Sequence, residues 1–328
     1  MREVKVLRKT RTKARFATQS KVRRRKTVLK KRSLKAGQKK GTKAYSFVIS
    51  PKQQMLQAKD GAKNEAENGI ENGIRDSSPH GDDSQRPMLS VIIPAMNEEK
   101  TIGAVVREAL RICRDAEVLV VVNGSTDGTA NVAKRAGARV LTYAEALGHD
   151  GGRKVGAAAA RGQVLLFTDA DIAIPAEHLA PYVQAVLKGT DVALNDYHGP
   201  VTRSPIHPVV EAKHMLNSIL ARSDLRGASM TAIPHALSRH GLEVIGISSL
   251  EVPPLAQAKA LIGGLRVRAV HHVPVGRLNA VRIKKRSGPD PLSPVVLNDH
   301  LVAIRWITDT LGPRGGHTDL QRVRSLAR

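Results

Sequence analysis

Gln163-Val164-Leu165-Leu166-Phe167-Thr168-Asp169-Ala170-Asp171 is the stretch that decides the fold. Its first five residues read as a buried parallel strand, a short apolar run without polar alternation. The run ends in two carboxylates spaced i, i+2. Ligands of open α/β sheets bind beyond the carboxyl ends of the strands, so Asp169 and Asp171 stand where chemistry is expected. Two carboxylates this close repel unless a cation lies between them. A hard divalent ion, Mg²⁺ or a Mn²⁺-like metal, held by one or two carboxylates and a substrate diphosphate relieves that repulsion. An isolated Asp-x-Asp also fits a solvated loop, so the flanking chain has to decide.

Upstream, strands and helices alternate. Leu89–Pro94 reads as strand one. Asn97-Glu98-Glu99 follows, with Asn97 placed to cap a helix that runs to about Asp115. Cys113, the single cysteine, falls inside that helix as a small buried hydrophobe. Glu117–Val122 is strand two, and Asn123–Thr129 is a polar turn rich in helix-starting residues. Ala130–Ala136 is a helix closed by Gly137, Arg139–Tyr143 is strand three, and Gly151–Ala160 is a small-residue helix before the quoted strand. Downstream, helices are expected over Pro175–Leu187, Glu211–Arg222, Pro234–Gly241, Leu255–Leu261 and Val296–Leu311. Strands are expected over Asp191–Asn195 and Leu265–Val270. Trp306 reads as a packing residue. The alternation predicts an α/β fold, a doubly wound and mostly parallel sheet.

The net charge of +24 is unevenly placed. Residues 1–43 hold 19 Lys/Arg against the single acid Glu3 and have too few apolar residues to build a core. That composition predicts a disordered basic tail suited to an anionic membrane or polymer. Only Phe16 interrupts the basic run, so nucleic-acid binding by aromatic stacking has little support, and none from the body. Residues 44–87 read as a polar linker, with Asn-Gly pairs and Ser77-Ser78-Pro79-His80-Gly81. The expected organisation is a tail over 1–43, a linker over 44–87, a catalytic domain over 88–280, and a basic loop with a helical extension over 281–328. One cysteine excludes a framework of intrachain disulfides and fits a reducing compartment. With no apolar run long enough to span a bilayer and no apolar signal core, the expectation is a cytoplasmic protein, compatible with peripheral attachment to a membrane.

Four segments in order carry a resemblance: Ile93-Pro94-Ala95-Met96-Asn97-Glu98-Glu99, Val121 to Thr129 (VVNGSTDGT), Gly151-Gly152-Arg153-Lys154-Val155-Gly156, and Asp169-Ala170-Asp171. From Leu89 to about Asn279 the chain resembles family 2 glycosyltransferases of the GT-A fold. The later half matches more loosely, through Gly227-Ala228-Ser229 and Leu250-Glu251, and is similar there to glucosyl-3-phosphoglycerate synthase-like enzymes. The resemblance implies a nucleotide-binding, Rossmann-like sheet with a nucleotide-diphosphate sugar as donor substrate. Pro94, Ala95, Asn97 and Glu98 would line the nucleotide pocket. Asn123, with Ser125 close behind it, stands where the family usually has an aspartate, and Met96 replaces the usual tyrosine. Arg153 and Lys154 would face the diphosphate, and Asp169, Ala170 and Asp171 match the metal motif.

The acceptor side departs from the family. Inverting members carry Glu-Asp with the aspartate as base, and here the pair reads Glu251-Val252. Glu251 could take that role, since a base needs only a carboxylate within reach of the acceptor hydroxyl; a cap on the following helix is the plainer alternative. A retaining course, with His272 as a further metal ligand, is the other option, against which stands an ordinary surface pair, His271-His272. The implied activity is metal-dependent transfer of a hexose to a hydroxyl acceptor. The aromatic content of 2% favours a small or anionic acceptor over a long polysaccharide. A non-catalytic nucleotide-sugar-binding protein anchored by its tail is the competing expectation.

Overall fold

A computed structural model describes residues 86–148, 150–202, 204–278 and 292–320. The basic tail, nearly all of the linker and the basic loop expected around Lys284-Lys285-Arg286 lie outside the described residues.

The strands are β1 (Leu89–Ala95), β2 (Ala116–Asn123), β3 (Arg139–Tyr143), β4 (Val164–Phe167), β5 (Val192–Asn195), β6 (His235–Ser238) and β7 (Val267–His271). They form one sheet in the order β3-β2-β1-β4-β6-β5-β7. β1 pairs in parallel with β2 and β4, and β2 with β3. Residues of β1 and β4 are buried on both faces, which is why they read as unbroken apolar runs.

Pro234–Gly241 is not a helix: His235–Ser238 is a strand, antiparallel to both β4 and β5. The helix begins only at Arg239, where the Ser238 hydroxyl accepts from the Gly241 N–H. The backbone groups of 235–238 find partners on two neighbouring strands, and that pairing overrides the local pattern. Because β6 opposes both neighbours, β4 and β5 point the same way, and β7 runs parallel to β5.

The helices are α1 (Ile102–Leu110), α2 (Thr129–Arg135), α3 (Gly151–Ala159), α4 (Ala176–Leu187), α5 (Pro208–Ile219), α6 (Arg239–Ile245), α7 (Pro253–Ile262), α8 (Val275–Leu278) and α9 (Leu292–Leu311). α1 and α4 cover one face of the sheet, where Ile102, Val106, Leu179 and Val183 pack on β1 and β4 residues. α3, α6 and α7 contribute Ala157, Ile245, Ala256 and Ala260 to the other core. α3 lies very close to the sheet: a Cβ on Gly156 would stand 2.4 Å from Ile92 Cγ2. α9 packs on α5 and α7 through Leu216, Ala258, Ala303 and Ile307, with Trp306 partly buried against them.

α1 is shorter than expected. Thr101, not Asn97, precedes it, and it ends at Leu110. Cys113 therefore sits beyond the helix, half-buried against the core, with burial pushing its thiol up.

Candidate active site

The chain leaves β1 and β2 through two turns that are bound to each other. Asn97 has φ 55 and donates its N–H to Ser125 Oγ at 3.0 Å, while Asn97 Oδ1 accepts from the Thr126 N–H at 2.9 Å. The Glu98 N–H donates to Thr129 Oγ1 at 2.8 Å, and the Glu99 N–H to Asp127 Oδ2 at 3.2 Å. Asn97, Glu98 and Ser125 are thus engaged in shaping this wall. Asn97 works across the two turns, not as the helix cap expected of it. Met96, beside them, is half exposed.

Asn123 ends β2 and is buried. Its Nδ2 lies 3.4 Å from the carbonyls of Ala95 and Val121, and its Oδ1 accepts from the Leu147 N–H at 3.1 Å. An aspartate has no N–H to offer those two carbonyls, so the amide suits this position as a fastener of β1 to the segment before α3. Gly152, in the first turn of α3, lets the helix approach Pro94: a Cβ there would stand 2.9 Å from Pro94 Cβ.

Arg153 is buried in that first turn. Its guanidinium donates to Asp150 Oδ1 at 2.5 Å and to Asp169 Oδ1 at 3.2 Å. Burial works against the charge, but Asp150 and Asp169 overcome it and hold the guanidinium above its ordinary value. Its Nε is buried without a partner among the described residues. Behind this group lies His235, buried and stacked on Phe167 with ring centroids 5.0 Å apart. Burial and the nearby Arg153 push this imidazole down to about 3, so it is neutral. Asp150 and His235 carry no motif. The one sequence signal was the place of Asp150, directly before Gly151-Gly152.

Asp169 and Asp171 stand just past β4, both part-exposed, with Ala170 buried between them. Among the described residues, no three His, Cys, Asp or Glu side chains gather into a set able to hold a metal. His272 is therefore not brought into a triad with the two aspartates. It is exposed, its Nδ1 lies 2.8 Å from the Asp196 carbonyl, and its ring tilts beside Tyr197 at 6.0 Å. The strand before it reaches His271, whose Nε2 meets His178 Nδ1 at 2.9 Å.

Glu251 closes a 3₁₀ turn over Ile247–Glu251 that packs on α3. It is not the cap of α7, which starts at Pro253 behind Val252. Its Oε1 is 3.3 Å from Lys154 Nζ, and both side chains are roughly half exposed. The structure thus brings together Arg153 with Asp169, and Lys154 with Glu251.

Beyond β5, on the same edge of the sheet, lies a group that sequence reading did not assemble. His198 Nε2 is 3.1 Å from Asp196 Oδ1 and 3.5 Å from Arg226 NH1. His214 Nε2 lies 3.2 Å from the His198 carbonyl. Gly227 permits this approach, because a Cβ there would stand 2.7 Å from both His198 O and His214 Nε2. Two buried amides hold the loop. Asn217 donates to the carbonyls of Arg226 and Ala228, and Gln257 accepts from Met230 N–H and donates to Asn217 Oδ1.

With this geometry in view, residues 90–233 match the family model of glycosyl transferase family 2. That segment is similar to family 2 glycosyltransferases. Dolichyl-phosphate beta-glucosyltransferase of Drosophila melanogaster is 39% identical over 109 residues, which is 28% of this chain and 33% of that protein. Glucosyl-3-phosphoglycerate synthase of Mycolicibacterium paratuberculosis is 34% identical over 116 residues, 32% of this chain and 35% of that protein. The chain spans about a third of the length of these two relatives. A mycobacterial protein of known crystal structure superposes with a TM-score of 0.50 at 21% identity, covering 72% of this chain and 77% of that one, a likeness of fold. The matched family 2 segment takes in the β1 and β2 turns, α3, Asp169 and Asp171. Glu251 and His272 fall beyond it. Among the described residues no helix is long and apolar enough to cross a membrane.

Proposed function

We propose that this chain transfers a hexose from a nucleotide-diphosphate sugar to a hydroxyl of a small, phosphate-bearing acceptor. One observation carries the reading: Asp169, at the end of β4 in the family 2 segment, is paired with a guanidinium buried in the first turn of α3. This arrangement combines a carboxylate, a fixed cation and helix N–H groups where the donor diphosphate would lie.

Asp169 and Asp171 offer hard oxygen donors. They suit Mg²⁺ or Mn²⁺ provided that substrate phosphates complete the shell, because the protein supplies no third ligand of that kind among the described residues. A metal bound there would neutralise charge on the departing diphosphate. The chain's own part is to orient and to balance charge. Asp150 fixes Arg153, and Arg153 and Lys154 face the leaving group. With Glu251 as base, the acceptor oxygen attacks the anomeric carbon as the bond to the diphosphate oxygen breaks. The hydroxyl proton passes to the Glu251 carboxylate.

The acceptor class rests on two supports. Both relatives named above have a phosphate in their acceptor or product by name. In this chain Arg226, His198 and His214 gather around Gly227 on the donor edge of the sheet. Peripheral contact with a membrane belongs to the same proposal, for the case in which that phosphate is lipid-borne.

Calorimetric titration of the full chain with uridine and guanosine diphosphate sugars, with and without Mn²⁺, tests the donor site. The expected result is metal-dependent binding of one of them, lost in Asp171→Asn. A second reading, nucleotide-sugar binding without transfer, is favoured by the engagement of Glu251 with Lys154 and by Val252 beside it. It predicts the same binding with no product across a panel of phosphorylated and neutral hydroxyl acceptors.

A further inference from the structure

The Lys154–Glu251 pair joins two parts of the site that lie 97 residues apart in sequence. Lys154 sits one residue after Arg153 in α3, on the wall facing the proposed donor diphosphate, while Glu251 belongs to the turn that packs against that helix. The contact is 3.3 Å long and its side chains are 40% and 46% exposed. A pair of this kind is weakly held and open to exchange. A lysine is suited to the move: its ammonium is a compact charge on a flexible stem, whereas Arg153 is buried and fixed by two carboxylates.

We infer that Lys154 is an exchangeable cation that holds Glu251 while the donor site is empty and turns to the diphosphate when the donor binds, leaving Glu251 open to the acceptor. This deepens the proposed function and rests on its donor site. Lys154 acts on the acceptor side only through Glu251 and is a positioning residue there. The consequence is an order of events. Donor binding has to break the ion pair, so Glu251 competes with the donor for Lys154, and the carboxylate becomes available only after the sugar is in place.

Competition has a signature that a merely structural contact lacks: removing the carboxylate should tighten the donor. The full chain and three variants are titrated with uridine diphosphate and with guanosine diphosphate in the presence of Mn²⁺. Glu251→Gln is expected to lower the dissociation constant about two- to five-fold, the scale of one part-exposed ion pair. Lys154→Met is expected to raise it. In the Lys154→Met background, Glu251→Gln is expected to change nothing. Unchanged or weaker binding in Glu251→Gln, with the unaltered chain binding normally, would overturn the exchange and leave the donor site standing. An equal effect of Glu251→Gln in both backgrounds would overturn it too. Absence of binding by the unaltered chain would remove the donor-site reading and the exchange together.

Discussion

Arg153 and His235 show how burial sets charge at single residues. Arg153 stays ionised only because Asp150 and Asp169 offset its loss of water. Asp150→Ala should therefore destabilise the fold by about 3 kcal/mol, since a buried charge loses one of two partners. Denaturant unfolding measures this, and donor affinity should fall with it. His235 has the opposite fate and is neutral, its pKa pushed down to about 3 by burial and by Arg153. Unfolding frees it to titrate near 6.5. Below that pH the unfolded chain binds a proton that the folded chain does not, so this group removes stability as pH falls from about 6.5 toward 3. The loss approaches about 1.4 kcal/mol per pH unit. His235→Gln should flatten that part of a stability-versus-pH curve, and an unchanged slope would show that His235 is not the source. Among these residues Asp169 was legible from its place after an apolar run. Asp150 and His235 were not: Asp150 meets Arg153 only three residues on, but that this pair is buried, with His235 behind it on Phe167, follows from how the helix and strands pack.

At the scale of elements, α3 couples the core to the site. Its small residues let it lie against β1 and β2, and Gly156 is the tightest point against Ile92. Gly156→Ala should force the helix outward, cost about 1–3 kcal/mol in overpacking and weaken donor binding in the same variant. A loss of stability with full donor affinity would show that the helix absorbs the shift without moving Arg153. The loop proposed to face the acceptor depends on a different device, the amides of Asn217 and Gln257. Gln257→Leu leaves the Met230 N–H and Asn217 Oδ1 without that partner, for about 1–3 kcal/mol each. The expected kinetic result is poorer use of the acceptor with donor affinity intact. Elements with strong periodicity were readable: β1, β2, β3, β4 and α4 lie where the sequence placed them, within one residue or so. β6 was not, because four residues, His235-Ala236-Leu237-Ser238, carry no period long enough to separate strand from helix.

For the whole molecule, the charge is unevenly placed along the sequence. Residues 1–43 hold 19 of the 53 Lys/Arg. Binding to an anionic polymer should be steeply salt-dependent in the full chain and disappear when residues 1–43 are deleted, while the nucleotide titration stays unchanged. A donor affinity that changed on deletion would tie the tail to the site. By itself the sequence determined the alternation of strands and helices, the parallel sheet around β1 and β4, and the position of Asp169 and Asp171 at its carboxyl edge. Those follow from local periodicity, which each segment carries within itself. Only the tertiary structure decided that β6 reverses direction, that Asn123 fastens a loop, that His272 meets the Asp196 carbonyl, and that Glu251 meets Lys154. Each of those depends on hydrogen bonds or charges between residues far apart in the chain. No local pattern encodes them, because the partner comes into reach only when the sheet has formed.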